Sequence, residues 1–144
     1  MRTIEDITTL DILVILPHRR PFVLIDRLEH YDSETTSVIT SYTVLQDGVF
    51  VEGGFFQAEG LMENIAQACA ARIGFYDWLH ELPVKPGVIG SVKGLNINQL
   101  PKAGEKIFTH ITPKAEALGV LLAEAVVKSE SGEIIAQSNI KVAV

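Results

Sequence analysis

The residues best suited to chemistry lie in one run, Leu61-Met62-Glu63-Asn64-Ile65-Ala66-Gln67-Ala68. Glu63 and Gln67 are four positions apart, so on a helix they share one face. Around them Leu61, Met62, Ile65, Ala66, Cys69, Ala70 and Ile73 cover most of the circumference, the pattern of a helix buried on nearly all sides. A carboxylate placed there is costly to bury without a partner. Desolvation raises a carboxyl pKa, which suits a general acid or base, and Gln67 is placed to hold Glu63 by a hydrogen bond. The competing reading makes Glu63 and Gln67 the exposed stripe of the helix. His18 is the second candidate, set between Pro17 and Pro21 and followed by Arg19 and Arg20. Histidine titrates near neutral pH and is the commonest general base; the competing reading is a loop histidine capping a backbone group.

The elements that must position these residues follow from pattern. Thr9 to Leu16 is a short apolar segment, either a helical turn or an extended lead-in, and Pro17 ends it. Phe22 to Leu28 reads as a strand with a nearly continuous apolar run. Ser37 to Leu45 alternates, with Val38, Thr40, Tyr42 and Val44 on one face. Asp47-Gly48 and Gly53-Gly54 mark turns. Gln57 to about Leu79, rich in Ala, Leu, Met, Glu and Gln, is the helix. Its first amides, at Ala58, Glu59 and Gly60, are free donors that can hold an oxyanion, and Gly53-Gly54 lets backbone approach a ligand closely. An ordinary capped helix end is the plainer alternative, with Glu59 offsetting the dipole. Val88 to Ile97, Glu105 to Pro113, Leu118 to Lys128 and Glu133 to Val144 read as strands, the last with Ile134, Ala136, Ser138, Ile140, Val142 and Val144 on one face. Short turns between them predict an antiparallel sheet, and a buried helix against it predicts an α+β layer architecture.

Composition narrows the function. The chain has 144 residues, a formal net charge of −6 and 47% hydrophobic residues. It is expected to form one domain, residues 1–144, and not a disordered chain. The acidic balance argues against a nucleic-acid partner. The single cysteine, Cys69, excludes an internal disulfide, reads as a small buried residue and points to the reducing cytosol. No signal-peptide core and no membrane span are read, so a cytoplasmic location is expected. His30, His80 and His110 show no metal-ligand spacing to one another or to Cys69, so no metal and no cofactor are expected. Walker, Gly-x-Gly-x-x-Gly and Gly-x-Ser-x-Gly motifs are missing, which leaves nucleotide binding and serine-triad hydrolysis unsupported.

The stretch Leu16-Pro17-His18-Arg19-Arg20-Pro21-Phe22-Val23-Leu24-Ile25-Asp26-Arg27 resembles the N-terminal motif of 3-hydroxyacyl-[acyl-carrier-protein] dehydratases of the hotdog fold. Leu61 to Ala68 resembles the start of their central helix. The resemblance implies a curved antiparallel sheet wrapped around one long helix, protomers paired to build shared sites, and Glu63 as the acidic residue on that helix. The family's histidine, in a Gly-His-Phe-Pro segment fourteen residues ahead of the acid, is replaced: that position holds Val49, within Gly48-Val49-Phe50-Val51. Its Pro-Gly ahead of the helix acid becomes Gln57-Ala58. The chain therefore is similar to a divergent branch, the ApeP-like predicted dehydratases associated with aryl polyene pigment clusters.

On that resemblance the expected function is elimination of water from a 3-hydroxyacyl thioester in fatty-acid or polyene-type biosynthesis. Glu63 and His18 are the catalytic pair, His18 substituting for the histidine missing at Val49. Gln67, Ala58, Glu59, Gly60, Val49 and Phe50 are substrate-contacting candidates. The expected partners are an acyl thioester on acyl carrier protein or CoA, and a second copy in a homodimer, a higher oligomer or a hotdog heteromer. Arg19, Arg20, Lys93, Lys102 and Lys106 are candidates for a carrier-protein patch. Two other readings stand beside this one: a hotdog thioesterase using Glu63, and a non-catalytic subunit of a hetero-oligomer.

Overall fold

The computed structural model describes residues 2–83 and 88–143. One helix, α1 (Ala58–Leu79), packs against a curved antiparallel sheet of six strands. The strands are β1 (Arg27–Tyr31), β2 (Val38–Thr43), β5 (Val88–Ile97), β6 (Lys106–Ala117), β7 (Val120–Ser129) and β8 (Ile134–Ala143), in the order β1-β2-β6-β7-β8-β5. A separate small hairpin, β3 (Val51–Glu52) with β4 (Phe55–Phe56), leads into the helix. The expected α+β layering and the helix bounds agree with this arrangement.

The helix forms because its residues favour it and because the sheet buries it. Leu61, Ile65, Ala68, Cys69, Ala71 and Phe75 are all almost fully buried. Each large apolar side chain removed from water in this way contributes about 1.5–3 kcal/mol. The sheet supplies the other half of the core, through Val38, Tyr42, Ile107, Ile111, Ala125, Val127, Ile140 and Val142. Thr40 joins Val38 and Tyr42 on the buried face of β2, and Val44, one residue past its end, is buried too, as the alternation predicts. Gly74 lies where α1 crosses the Ile15 backbone, and a side chain there would run into the Ile15 carbonyl.

Four expectations need correction. Phe22 to Leu28 is not one strand, since β1 begins at Arg27. The backbone ahead of it bonds to side chains of α1 instead of to a neighbouring strand. Leu118 does not open β7 but sits with Gly119 in a two-residue turn, both at positive φ (54° and 75°), with its side chain fully exposed. On β8, Ile134 faces solvent and Ile135 takes the core position, because the β7–β8 register shifts between Val127 and Lys128. Val144, expected on the same face, lies outside the described residues. Finally, Gly53 and Gly54 (φ 60° and 83°) are the two central residues of the β3–β4 hairpin. Positive φ at both positions is what a tight hairpin turn demands. Their conformation is thus explained by the turn rather than by close approach to a ligand. The first segment resolves into two single turns of 3-10 helix, Ile4–Asp6 and Ile12–Val14.

Candidate active site

The His18 loop and the first third of α1 meet at one edge of the core. His18 Nε2 lies 3.6 Å from Glu63 Oε1, within a single protomer. Their side chains are 30% and 38% exposed. Glu63 is therefore not the desolvated carboxylate that its apolar neighbours suggest. It stands on the open stripe of α1, while Gln67, one turn on, is completely buried. The two competing readings of this pair each describe one of its members.

Gln67 holds three groups at once. Its Nε2 donates to Glu63 Oε1 (3.0 Å) and to the Phe22 carbonyl (2.7 Å), and its Oε1 accepts from the Leu24 amide (2.7 Å). Asn64 completes the clamp: its Nδ2 donates to the Leu24 carbonyl (2.8 Å), and its Oδ1 accepts from Thr109 Oγ1 of β6 (2.6 Å). Leu24, Asn64 and Thr109 are each 1% exposed. These bonds substitute for a ladder, which is why the apolar run Val23-Leu24-Ile25 is buried without being a strand. The chain then joins the sheet at Asp26, whose amide donates to the Ser41 carbonyl (2.7 Å) and whose carboxylate accepts from the Thr43 amide (2.7 Å). Asn64 was missed in the sequence. The available signal was a polar residue one position beyond Glu63, on the most apolar part of the helix.

On the other side of His18, Arg19 folds its guanidinium over its own loop. Nη1 donates to the carbonyls of Leu16 (3.2 Å), Pro17 (3.3 Å) and His18 (2.8 Å). His18 Nδ1 is buried and has no hydrogen-bond partner among the described residues. The ring is thus oriented by its loop and by Glu63.

An open groove of about 500 Å³ runs alongside, lined by Phe50, Glu59, Met62, Glu63, Ala66 and residues of β5, Ser91 and Val92. Of the candidate residues, Phe50, Glu59 and Glu63 line this groove, while His18 and Gln67 are not part of its lining. Val49 is exposed and does not line the groove. The first main-chain bond of the helix runs from the Leu61 amide to the Gln57 carbonyl (3.1 Å), so the amides of Ala58, Glu59 and Gly60 have no acceptor inside the helix. Ala58 and Gly60 do not line the groove. Gly60 is buried, and a Cβ on it would lie 2.5 Å from the Phe56 ring and 2.8 Å from Phe50 Cβ. The close packing of two phenylalanines accounts for glycine at that position.

The five basic candidates do not form one patch. Arg19 is engaged by its loop, and Lys106 lies over the Phe108 ring at 5.5 Å. Lys93 instead joins Lys114 and Lys141 around a shallow hollow lined also by Leu122, Ala123 and Ile140. Cys69 is buried, and burial pushes its thiol up to about 12, so it carries no nucleophilic chemistry. Among the described residues, no three His, Cys, Asp or Glu side chains gather as a metal centre, and no helix is long and apolar enough to cross a membrane.

Known proteins resemble this chain in sequence and in fold. Curated relatives include the 3-hydroxyacyl-[acyl-carrier-protein] dehydratase FabZ of Chlamydia abortus, 33% identical over 69 residues, covering 44% of this chain and 45% of the relative. FabZ of Chlamydia trachomatis serovar L2 is 36% identical over a match of the same size. The chain thus spans a little under half the length of these relatives. Among solved structures, the dehydratase heterocomplex ApeI:P from Xenorhabdus doucetiae superposes with a TM-score of 0.82 at 17% identity, over 93% of this chain and 90% of that one. The PaaI protein of the E. coli phenylacetic acid degradation operon superposes with a TM-score of 0.66 at 11% identity, over 81% of each chain. A hypothetical thioesterase protein with coenzyme A from Streptococcus pneumoniae gives 0.64 at 11%, over 81% and 83%. At these identities the structures establish the hotdog fold. Residues 10–144 match a family profile, and with both the His18 segment and the Glu63 helix inside that match, the chain belongs to the ApeP-like family, ApeP dehydratase.

Proposed function

We propose that the chain is a hydro-lyase that removes water from a 3-hydroxyacyl thioester, with His18 as base and Glu63 as acid. The observation that carries this reading is the 3.6 Å approach of His18 Nε2 to Glu63 Oε1 beside an open, largely apolar groove. Elimination needs a base to take the proton next to the carbonyl and an acid to protonate the departing hydroxyl. Two titratable groups this close both reach the small span between those two atoms of one substrate. Gln67 holds Glu63 from behind and fixes the carboxylate's second contact. The free amide of Glu59, the one of the three helix-start residues that lines the groove, is the oxyanion donor in this scheme. Phe50 and Met62 offer the acyl chain an apolar wall.

Membership of a dehydratase family supports the reaction class, and relatives described as 3-hydroxyacyl-[acyl-carrier-protein] dehydratases support the substrate and its carrier. An aryl polyene intermediate, a cytoplasmic location and a single-domain organisation belong to the same proposal. So does assembly through β5. This ten-residue strand ends the sheet, its outer side unpaired among the described residues, and a long exposed edge is a template for another chain. A second copy or a related hotdog subunit would fill it, and the similarity to a chain of a dehydratase heterocomplex supports the latter.

The test is a mass-resolved assay of the purified protein with a 3-hydroxyacyl carrier-protein thioester, beside Glu63→Gln and His18→Ala. Loss of one water with the thioester intact, abolished in both variants, is the expected result. Release of free acid dependent on Glu63 alone would make it a thioesterase. Unchanged mass, both alone and with a hotdog partner, would leave a non-catalytic subunit.

A further inference from the structure

A second cavity, of about 380 Å³, opens on the other side of α1 and is lined by Tyr31, Thr36, Arg72, Ile73, Tyr76 and Glu116. Arg72 follows Glu63 by nine residues, which places it about 13 Å further along the helix and half a turn around it. The two sites share no lining residue. Arg72 donates from Nε to the Thr36 carbonyl (2.7 Å) and from Nη2 to Thr36 Oγ1 (2.6 Å). These bonds secure the β1–β2 turn, where Thr36 has a φ of 58°. They leave Nη1 without a hydrogen-bond partner among the described residues, and no carboxylate lies within 4 Å of this guanidinium. Burial pulls its pKa below the ordinary arginine value, more than the nearby Glu116 charge raises it. Tyr31 and Tyr76 line the cavity beside it, and burial raises the Tyr31 phenol while the Arg72 charge lowers it. One cavity is thus lined by a guanidinium with a free Nη1 and by two tyrosines.

We propose that this cavity is a binding site for a small organic carboxylate. The guanidinium fork matches a planar carboxylate, and the phenols add two further donors. Ile73 and the two tyrosine rings supply an apolar wall for the body of the ligand. Glu116 at the rim disfavours a dianion such as phosphate more than a monoanion. The site is independent of the dehydratase reading, since nothing in it touches Glu63 or His18.

The test is calorimetric titration of the full chain with benzoate, hexanoate and inorganic phosphate. Saturable binding of benzoate or hexanoate at one site per chain, with phosphate weaker, is expected. Arg72→Gln should weaken that binding at least about tenfold, the scale of a lost charge-assisted hydrogen bond. Because Arg72 also secures the Thr36 turn, Tyr76→Phe and Glu116→Gln serve as variants that leave the core intact. The first should weaken binding severalfold and the second strengthen it. No saturable binding up to about 10 mM, a level matching only a few kcal/mol of affinity, would overturn the proposal. So would phosphate binding more tightly than either carboxylate, or affinities unchanged in all three variants. Turnover is not measured, so the dehydratase reading stands or falls separately.

Discussion

The clamp of α1 on the His18 segment makes a quantitative claim. Asn64→Leu keeps the side-chain volume and removes two hydrogen bonds, to the Leu24 carbonyl (2.8 Å) and from Thr109 Oγ1 (2.6 Å). Both abandoned groups are buried, at 1% exposure, and neither has another partner among the described residues. A buried polar group left unpaired costs about 1–3 kcal/mol, so two of them cost about 2–6 kcal/mol. That is a large share of the total stability of a typical domain, about 5–15 kcal/mol. Thr109→Val alone orphans only Asn64 Oδ1. Combining it with Asn64→Leu removes the stranded hydroxyl, so the double variant should recover about 1–3 kcal/mol relative to the sum of the singles. Urea denaturation of the four proteins, followed by fluorescence and circular dichroism, reads the cycle. If Asn64→Leu costs less than about 1 kcal/mol, the Leu24 carbonyl is not held as described. If the singles simply add, Asn64 and Thr109 are not bonded.

Three further outcomes follow from buried groups elsewhere. Thr40 Oγ1 is buried without a partner among the described residues, so Thr40→Val should stabilise the protein by roughly 1 kcal/mol and raise Tm by about 2–4 °C in a melting curve. The Cys69 thiol, buried and pushed up to about 12, should react with a thiol reagent at neutral pH only as fast as the protein unfolds; rapid labelling of the native state would contradict its burial. His110 is held below its ordinary 6.5, first by burial and then by Lys128. The unfolded chain therefore takes up this proton at higher pH than the folded one. Stability should fall as pH drops below about 6.5, and His110→Gln should flatten that part of the profile in denaturation midpoints measured by pH.

The helix and the last four strands were legible because their patterns are local. Ala58–Leu79 carries its own propensity, and the alternation of β2 survives in its buried face. What escaped the sequence depends on contacts distant along the chain. The apolar run at Val23 to Ile25 has strand composition, but its hydrogen bonds go to Asn64 and Gln67, some forty residues later. No local pattern encodes that. Leu118 has the composition of a strand residue and the backbone of a turn, because the β6–β7 register ends there. At the site, His18 and Glu63 were named from their types and a resemblance. Their 3.6 Å approach rests on the clamp and on the Arg19 loop.

That division of labour bears on how the pair can be tested. The groups that fix the His18 segment are Asn64, Gln67 and Arg19, and none of them depends on the His18–Glu63 contact itself. The pair is partly exposed on both sides, and an ion pair or hydrogen bond so placed contributes about 0–1 kcal/mol. Glu63→Gln keeps an oxygen for Gln67 Nε2 to donate to, and His18→Ala removes a ring whose Nδ1 had no partner to lose. Both variants should therefore unfold within about 0.5–1 kcal/mol of the parent in urea, while the clamp variant Asn64→Leu should not. A loss of several kcal/mol on Glu63→Gln would place the carboxylate in the framework of the fold. The loss of turnover expected from the same substitution would then report folding and not chemistry. Stability left intact beside abolished turnover would tie Glu63 to the reaction alone.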